Sequence, residues 1–357
     1  MTRQSPLHAA HERAGARMME FGGWEMPLQY LGVVEEHEAC RHDAVVFDVS
    51  HLGSVAVDGP GAFGALQWAL TNDLSRIAPG RAQYSHLLDA TDAHVVDDVI
   101  VWWVGPESFV VMPNASNTAP IVSVLTAAAN ERGGAQVTDI TVDRAVLAIQ
   151  GPNARARLSK VSPEAAAVKR FDVTTVPWRD TSLVVAGTGY TGEDGVEIQV
   201  PVAHADAFWR ALLDAGVRPA GLGARDTLRL EMGYPLHGHE LGPGITPLEA
   251  GLGWVVRTDK GPFRGREALT TRADAGVDRL LFGLRGEGRQ IPRAGCAVYL
   301  DDAPIGEVSS GSFSPTLGCG IALAFLSPTV AEGHSVEIDI RGRRVPAMIV
   351  PLPILAR

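Results

Sequence analysis

Apolar segments in this chain are short, and their shortness limits the fold more than any other feature. Residues 54–57, 99–104, 109–112, 145–149, 182–186 and 196–200 are β-branched or aromatic runs bounded by Gly, Pro, Asp or Asn. Such runs are too brief for buried helices and predict strands. Helical patterns fall between them at 7–19, 33–41, 61–69, 118–130, 202–215 and 224–232, without a regular strand-helix alternation. This favours an α+β fold over a doubly wound sheet. No apolar run approaches the ~18 residues that a membrane-spanning helix needs.

At 357 residues the chain exceeds what one hydrophobic core holds, so more than one domain is expected. Residues 270–277 have no apolar stripe and are expected to form a linker. The closely spaced strand signals after them predict a β-barrel-like domain over 278–357, following a catalytic region over 1–270. Acidic side chains outnumber basic ones by 41 to 31, a balance that disfavours a nucleic-acid partner. The three cysteines, Cys40, Cys296 and Cys319, are far apart and form no CxxC pair. They indicate neither a disulfide framework nor a zinc knuckle, and a reducing, cytoplasmic location is expected.

Gly187-Thr-Gly189-Tyr-Thr-Gly192 matches a dinucleotide-binding pattern, but the alternating segment 196–200 follows it where a helix would have to begin. A hairpin is expected instead. Asp97 and Asp98 stand directly before the run 99–104, so their carboxylates point to opposite faces of the emerging strand. An inward carboxylate there serves either acid-base chemistry or the capping of a turn. Glu197 lies opposite the apolar face of its strand, either solvated or lining a cavity where it can accept parallel N–H bonds. Arg225 and Arg229 share one helix face, which implies a solvated surface, a bound anion or an ion pair elsewhere in the fold. His237 and His239 form half of a metal site at most, and no metal is assigned.

Seven strings, Phe21-Gly-Gly-Trp-Glu-Met-Pro-Leu-Gln-Tyr30, Phe47-Asp-Val-Ser-His51, Val95-Val-Asp-Asp-Val-Ile100, Gln150-Gly-Pro-Asn153, Gly189-Tyr-Thr-Gly-Glu-Asp-Gly195, Gly223-Ala-Arg-Asp226 and Ser310-Gly-Ser-Phe-Ser-Pro-Thr-Leu-Gly318, occur in that order. Together they resemble the aminomethyltransferase family of the glycine cleavage system. The resemblance implies a three-domain cloverleaf around a central folate channel, with two discontinuous α+β domains of antiparallel sheets and a carboxy-terminal barrel. It also implies transfer of a one-carbon unit from a lipoylated H-protein to tetrahydrofolate, with release of ammonia.

By that resemblance Asp98 would be catalytic. Glu197 would hold the pterin edge, Arg225 would hold the anionic end of folate or brace the site, and Asn114 would offer its amide to the ring. Tyr84, Ile100, Trp102, Tyr190, Leu52 and Trp254 would line the folate cavity. The family commonly has Gly-Gly before its aspartate pair, where this chain has Ala93-His94. Two alternatives on the same scaffold are a tetrahydrofolate-dependent demethylase of a free methylated amine or sulfonium compound, and a folate-binding protein without catalysis.

Overall fold

The computed structural model describes residues 2–356. The chain divides into two compact units, one from Met1–Leu87, Asp97–Arg225 and Arg257–Arg264, the other from Leu88–Val96, Asp226–Val256 and Gly265–Arg357. The fold is α+β, as the irregular order of short strands and helices predicts.

The first unit contains a six-stranded sheet in the order Val173–Trp178, Thr181–Ala186, Gly195–Pro201, Arg144–Gln150, Val45–Asp48 and Arg218–Ala220. Its pairings are antiparallel except for the last, which is parallel. Helix Val202–Asp214 contributes Phe208, Trp209 and Leu212 to a core shared with Val46, Leu147 and Ile198. The buried side chains recur at helical spacing on one face, which is why this amphipathic segment folds onto the sheet. A second sheet runs in the order Arg81–Leu88, Val95–Gly105, Ser108–Met112, Val55–Asp58 and Gln136–Asp139. Near it, helices Ala62–Ala69 and Thr118–Glu131 pack through the small residues Ala65, Ala128 and Ala129.

The helix expected over 7–19 is shorter in the structure. It covers His8–Arg13, Gly15 then adopts φ +73°, and Arg17–Phe21 forms a strand paired with Trp24–Gln29. The positive φ ends the helix, as a side-chain-bearing residue seldom can. Asp48 ties this short helix to the large sheet. It accepts from Ser5 and from the Ser50 hydroxyl, and lies 2.7 Å from His11 Nε2, with the whole group buried. The other ring nitrogen of His11 lies 2.9 Å from the Tyr30 hydroxyl.

In the second unit six strands close into a barrel in the order Leu280–Gly286, Cys319–Leu326, Ala303–Ser314, Ala297–Leu300, Ser335–Ile340 and Arg343–Val350. Leu284, Val298, Val308, Ala324, Ile338 and Ile349 fill its interior, and closure leaves no unpaired edge. The stretch expected to be a linker at 270–277 is mostly helical, within Arg266–Ala275. Only Leu269 of that helix is buried, so the segment shows no apolar stripe to read. Leu269 anchors it, and its Arg, Glu, Ala and Leu residues favour the helix.

Candidate active site

The strand Val95–Gly105 carries the two aspartates on opposite faces. Asp97, Val99 and Val101 are buried, while Asp98 and Ile100 are half-buried on the other side and Trp102 is fully buried. The inward carboxylate is therefore Asp97. Three hydrogen bonds reach it, from the Asn114 backbone N at 3.0 Å, Asn114 Nδ2 at 2.8 Å and Asn117 Nδ2 at 2.8 Å. Burial and the adjacent Asp98 nevertheless push its carboxyl up to about 8, against the lowering effect of those amides.

Asp98 accepts from two neighbours. Tyr84 donates its hydroxyl to Oδ2 at 2.9 Å, and Asn114 Nδ2 donates to Oδ1 at 2.8 Å. One asparagine amide thus bridges both carboxylates and fixes their separation. Its Nδ2 is committed to the aspartates, which leaves Oδ1 as the atom with which Asn114 can meet a ligand. Burial and Asp98 raise the Tyr84 phenol well above its ordinary value, so it remains a donor at any working pH. His86 Nε2 lies 3.2 Å behind the Tyr84 oxygen.

The large sheet supplies a second group of polar residues. Both faces of Gly195–Pro201 are covered, so Glu197 is buried rather than solvated. Thr188 donates to its Oε2 at 2.6 Å. Arg225, on helix Leu222–Glu231, stacks over the Tyr190 ring with its guanidinium carbon 4.9 Å from the ring centre. Its Nη1 is buried and has no hydrogen-bond partner among the described residues. Burial lowers the Arg225 pKa, with Glu197 and Tyr190 opposing that effect. Burial, and then Arg225, lower His51 to about 4, so the His51 imidazole is neutral near pH 7.

The two arginines expected on one helix face have different surroundings. Arg229 is 2 % exposed and donates to Asp226 at 2.8 Å, Glu240 at 3.1 Å, Ser310 at 2.9 Å and the Tyr234 carbonyl at 3.1 Å. It is the ion pair elsewhere in the fold that its spacing allowed. Leu52 and Tyr190 are half-buried, whereas Trp254 is 64 % exposed in the second unit. His237 Nε2 lies 3.0 Å from the Val96 carbonyl and His239 Nδ1 3.0 Å from that of Ser309, so each meets a backbone carbonyl.

The GxGxxG segment is a hairpin connection between Thr181–Ala186 and Gly195–Pro201. Gly192 takes φ +78° there. A Cβ on Gly189 would overlap the amide of Gln150, a buried residue that accepts from Thr191 and donates to the Thr188 carbonyl. Its glycines serve a turn and a close approach. His51, His86, Asn117 and Thr188 also stand among these groups, beyond the residues expected from sequence. Two signals pointed to some of them: His86 stands two residues from Tyr84 on the same strand, and His51 closes the Phe47–His51 string.

Residues 7–260 match the family described as GCVT N-terminal domain, and residues 279–355 match the glycine cleavage T-protein C-terminal barrel domain. The chain belongs to the glycine cleavage T-protein family. Relatives named aminomethyltransferase include that of Frankia alni, 46 % identical over 99 % of this chain and 98 % of its own length. Another, from Mycobacterium avium, is 45 % identical over 98 % of this chain and 96 % of its own. The crystal structure of glycine cleavage system aminomethyltransferase T from Bartonella henselae superposes with a TM-score of 0.93 at 34 % identity, covering 99 % of this chain and 98 % of that one. Family membership identifies the chain as a transferase, and among the described residues no helix is long and apolar enough to cross a membrane.

Proposed function

We propose that the chain transfers the one-carbon unit of an aminomethyl-lipoyl H-protein to tetrahydrofolate in the cytoplasm. In the overall reaction the carbon–sulfur and carbon–nitrogen bonds of the aminomethyl thioether break, and two carbon–nitrogen bonds form to the folate. The two N–H protons displaced from the folate end on the lipoyl sulfur and on ammonia.

The observation that supports this reading is Asp98, a half-buried carboxylate held at both oxygens by Tyr84 and Asn114. Two fixed donors keep it aimed while it takes up a proton. Its charge also stabilises positive charge developing on the migrating carbon. Tetrahydrofolate, when bound, contributes the two nitrogens that receive the carbon. The Arg225 Nη1, without a partner among the described residues, and the buried Glu197, whose Oε2 accepts from Thr188, fit a ligand that offers both an acceptor and N–H donors. Asn114 Oδ1, Tyr190, Ile100 and Leu52 complete the set of binding residues in this reading, whereas Trp102 is fully buried and presents no surface to a ligand.

The test is turnover with tetrahydrofolate and aminomethyl-loaded H-protein, comparing the native chain with Asp98→Asn. The variant should bind folate as before and lose about 10²- to 10⁴-fold in kcat, the weight of a positioned acid-base group. An undiminished rate removes Asp98 from the mechanism. Methylenetetrahydrofolate formed from a free methylated amine or sulfonium compound, with no H-protein, replaces the proposed donor. Folate binding without any turnover makes the chain a folate-binding protein.

A further inference from the structure

His86 is fully buried, and among the described residues its ring makes one hydrogen bond, to the Tyr84 hydroxyl. The Nδ1 atom has no partner. As a mere core residue it is a poor choice, since a leucine would fill a buried strand position without stranding a ring nitrogen. The rings of Tyr84 and His86 meet edge to face, with centroids 5.2 Å apart and planes at 85°, and the imidazole Nε2 lies 3.2 Å from the phenol oxygen.

The direction of this contact follows from proton counting. A phenol has one proton, and Tyr84 gives it to Asp98. The oxygen can then only accept from His86. Burial alone lowers His86 to about 3, with no charged neighbour contributing, so the ring is neutral and carries one N–H. Placed on Nε2, that hydrogen meets the Tyr84 oxygen. Placed on Nδ1, it would be buried without an acceptor, and two lone pairs would face each other across the Tyr84–His86 contact.

We infer that His86 is a positioning residue of the active site: its Nε2–H donates to the Tyr84 oxygen and thereby turns the phenol proton onto Asp98. It acts through Tyr84 and touches no substrate. The titratable groups that bear on this relay are Asp97 beside Asp98, and Tyr190, which acts on Tyr84. Asn114 is a neutral donor to both aspartates and is unaffected by pH.

The kinetic side of this inference rests on the proposed transferase reading; its titration side does not. The ¹³C carboxyl shift of Asp98 is followed against pH in the ligand-free full chain for the native protein, His86→Leu and His86→Gln, beside the pH profile of kcat/KM. His86→Leu should move both the Asp98 titration and the acidic limb upward by about 0.5 to 1 unit, the three- to tenfold weight of one hydrogen bond. His86→Gln, whose amide nitrogen reaches the place of Nε2, should restore at least half of that displacement. In a Tyr84→Phe background His86→Leu should move neither quantity.

Should His86→Leu not fold, His86→Asn decides, because its amide is too short to reach Tyr84 and must show the displacement that His86→Gln lacks. An unmoved Asp98 titration in a folded variant, or a displacement that persists without the Tyr84 hydroxyl, overturns the inference. A native protein with no transferase activity overturns the proposed function instead, while the carboxyl titration still decides the role of His86.

Discussion

Replacing Arg229 by methionine should cost about 3–5 kcal/mol of stability, because it leaves a buried carboxylate without its cation. The partners of Arg229 differ in weight. The bond to Asp226 runs to a side chain that is 49 % exposed, and such pairs contribute about 0–1 kcal/mol. Glu240 is completely buried, and the same arginine also satisfies Ser310 and the Tyr234 carbonyl. Methionine fills much of the arginine volume, so the loss reports the stranded charge more than a cavity. Leu236 N and the Ser309 hydroxyl still donate to Glu240, but neither supplies a positive charge. Urea unfolding of the full chain, followed by circular dichroism, measures the change. Adding Glu240→Gln to Arg229→Met should recover part of the loss, since the second substitution removes the uncompensated charge. A loss below about 1 kcal/mol for Arg229→Met, the size of one ordinary hydrogen bond, would refute the reasoning by showing that Glu240 is not held as a buried anion.

Arg225→Met should behave in the opposite sense, with little change in the urea midpoint and a clear loss of tetrahydrofolate affinity by calorimetry, because Nη1 of Arg225 has no acceptor among the described residues. The Asp97 carboxyl rises from 3.8 to about 8 on folding, so between those values the folded chain holds a proton that the unfolded chain has released. Its contribution to stability is present at the acid end of that window and is lost as pH rises through 8; Asp97→Asn should flatten this slope in urea midpoints measured from pH 5 to 9. Gly189→Ala should destabilise the chain by about 1–3 kcal/mol in the same assay, because its Cβ would displace the buried Gln150 amide.

Much of the fold was legible because the apolar period reports local geometry directly. The strand runs at 99–104, 109–112, 145–149 and 196–200 all lie within observed strands, and the closely spaced strand signals of the carboxy-terminal region form a closed six-stranded barrel. The failures have one physical origin, since period says nothing where packing is absent or is completed from elsewhere. Helix Arg266–Ala275 buries almost nothing and leaves no stripe. Glu197 alternates like a solvent-facing residue, but its strand is central in a six-stranded sheet and covered on both faces.

The same limit governs the site. Alternation along 95–105 placed Asp97 and Asp98 on opposite faces but could not say which face was covered, and the structure buries Asp97. Spacing likewise made Arg225 and Arg229 equivalent, although one meets a buried glutamate and the other a tyrosine ring. What distinguishes such pairs is the remainder of each hydrogen-bond inventory, which depends on residues far away in the chain. Asn114 and Asn117 come 16 and 20 residues after the aspartates they hold, and Tyr84 precedes Asp98 by 14. A carboxylate becomes a candidate acid-base group through donors that topology brings to it. Tyr84 and His86, two residues apart on one strand, already shared a face in the sequence; only the position of Asp98 beside Tyr84 makes that shared face a directed chain of hydrogen bonds.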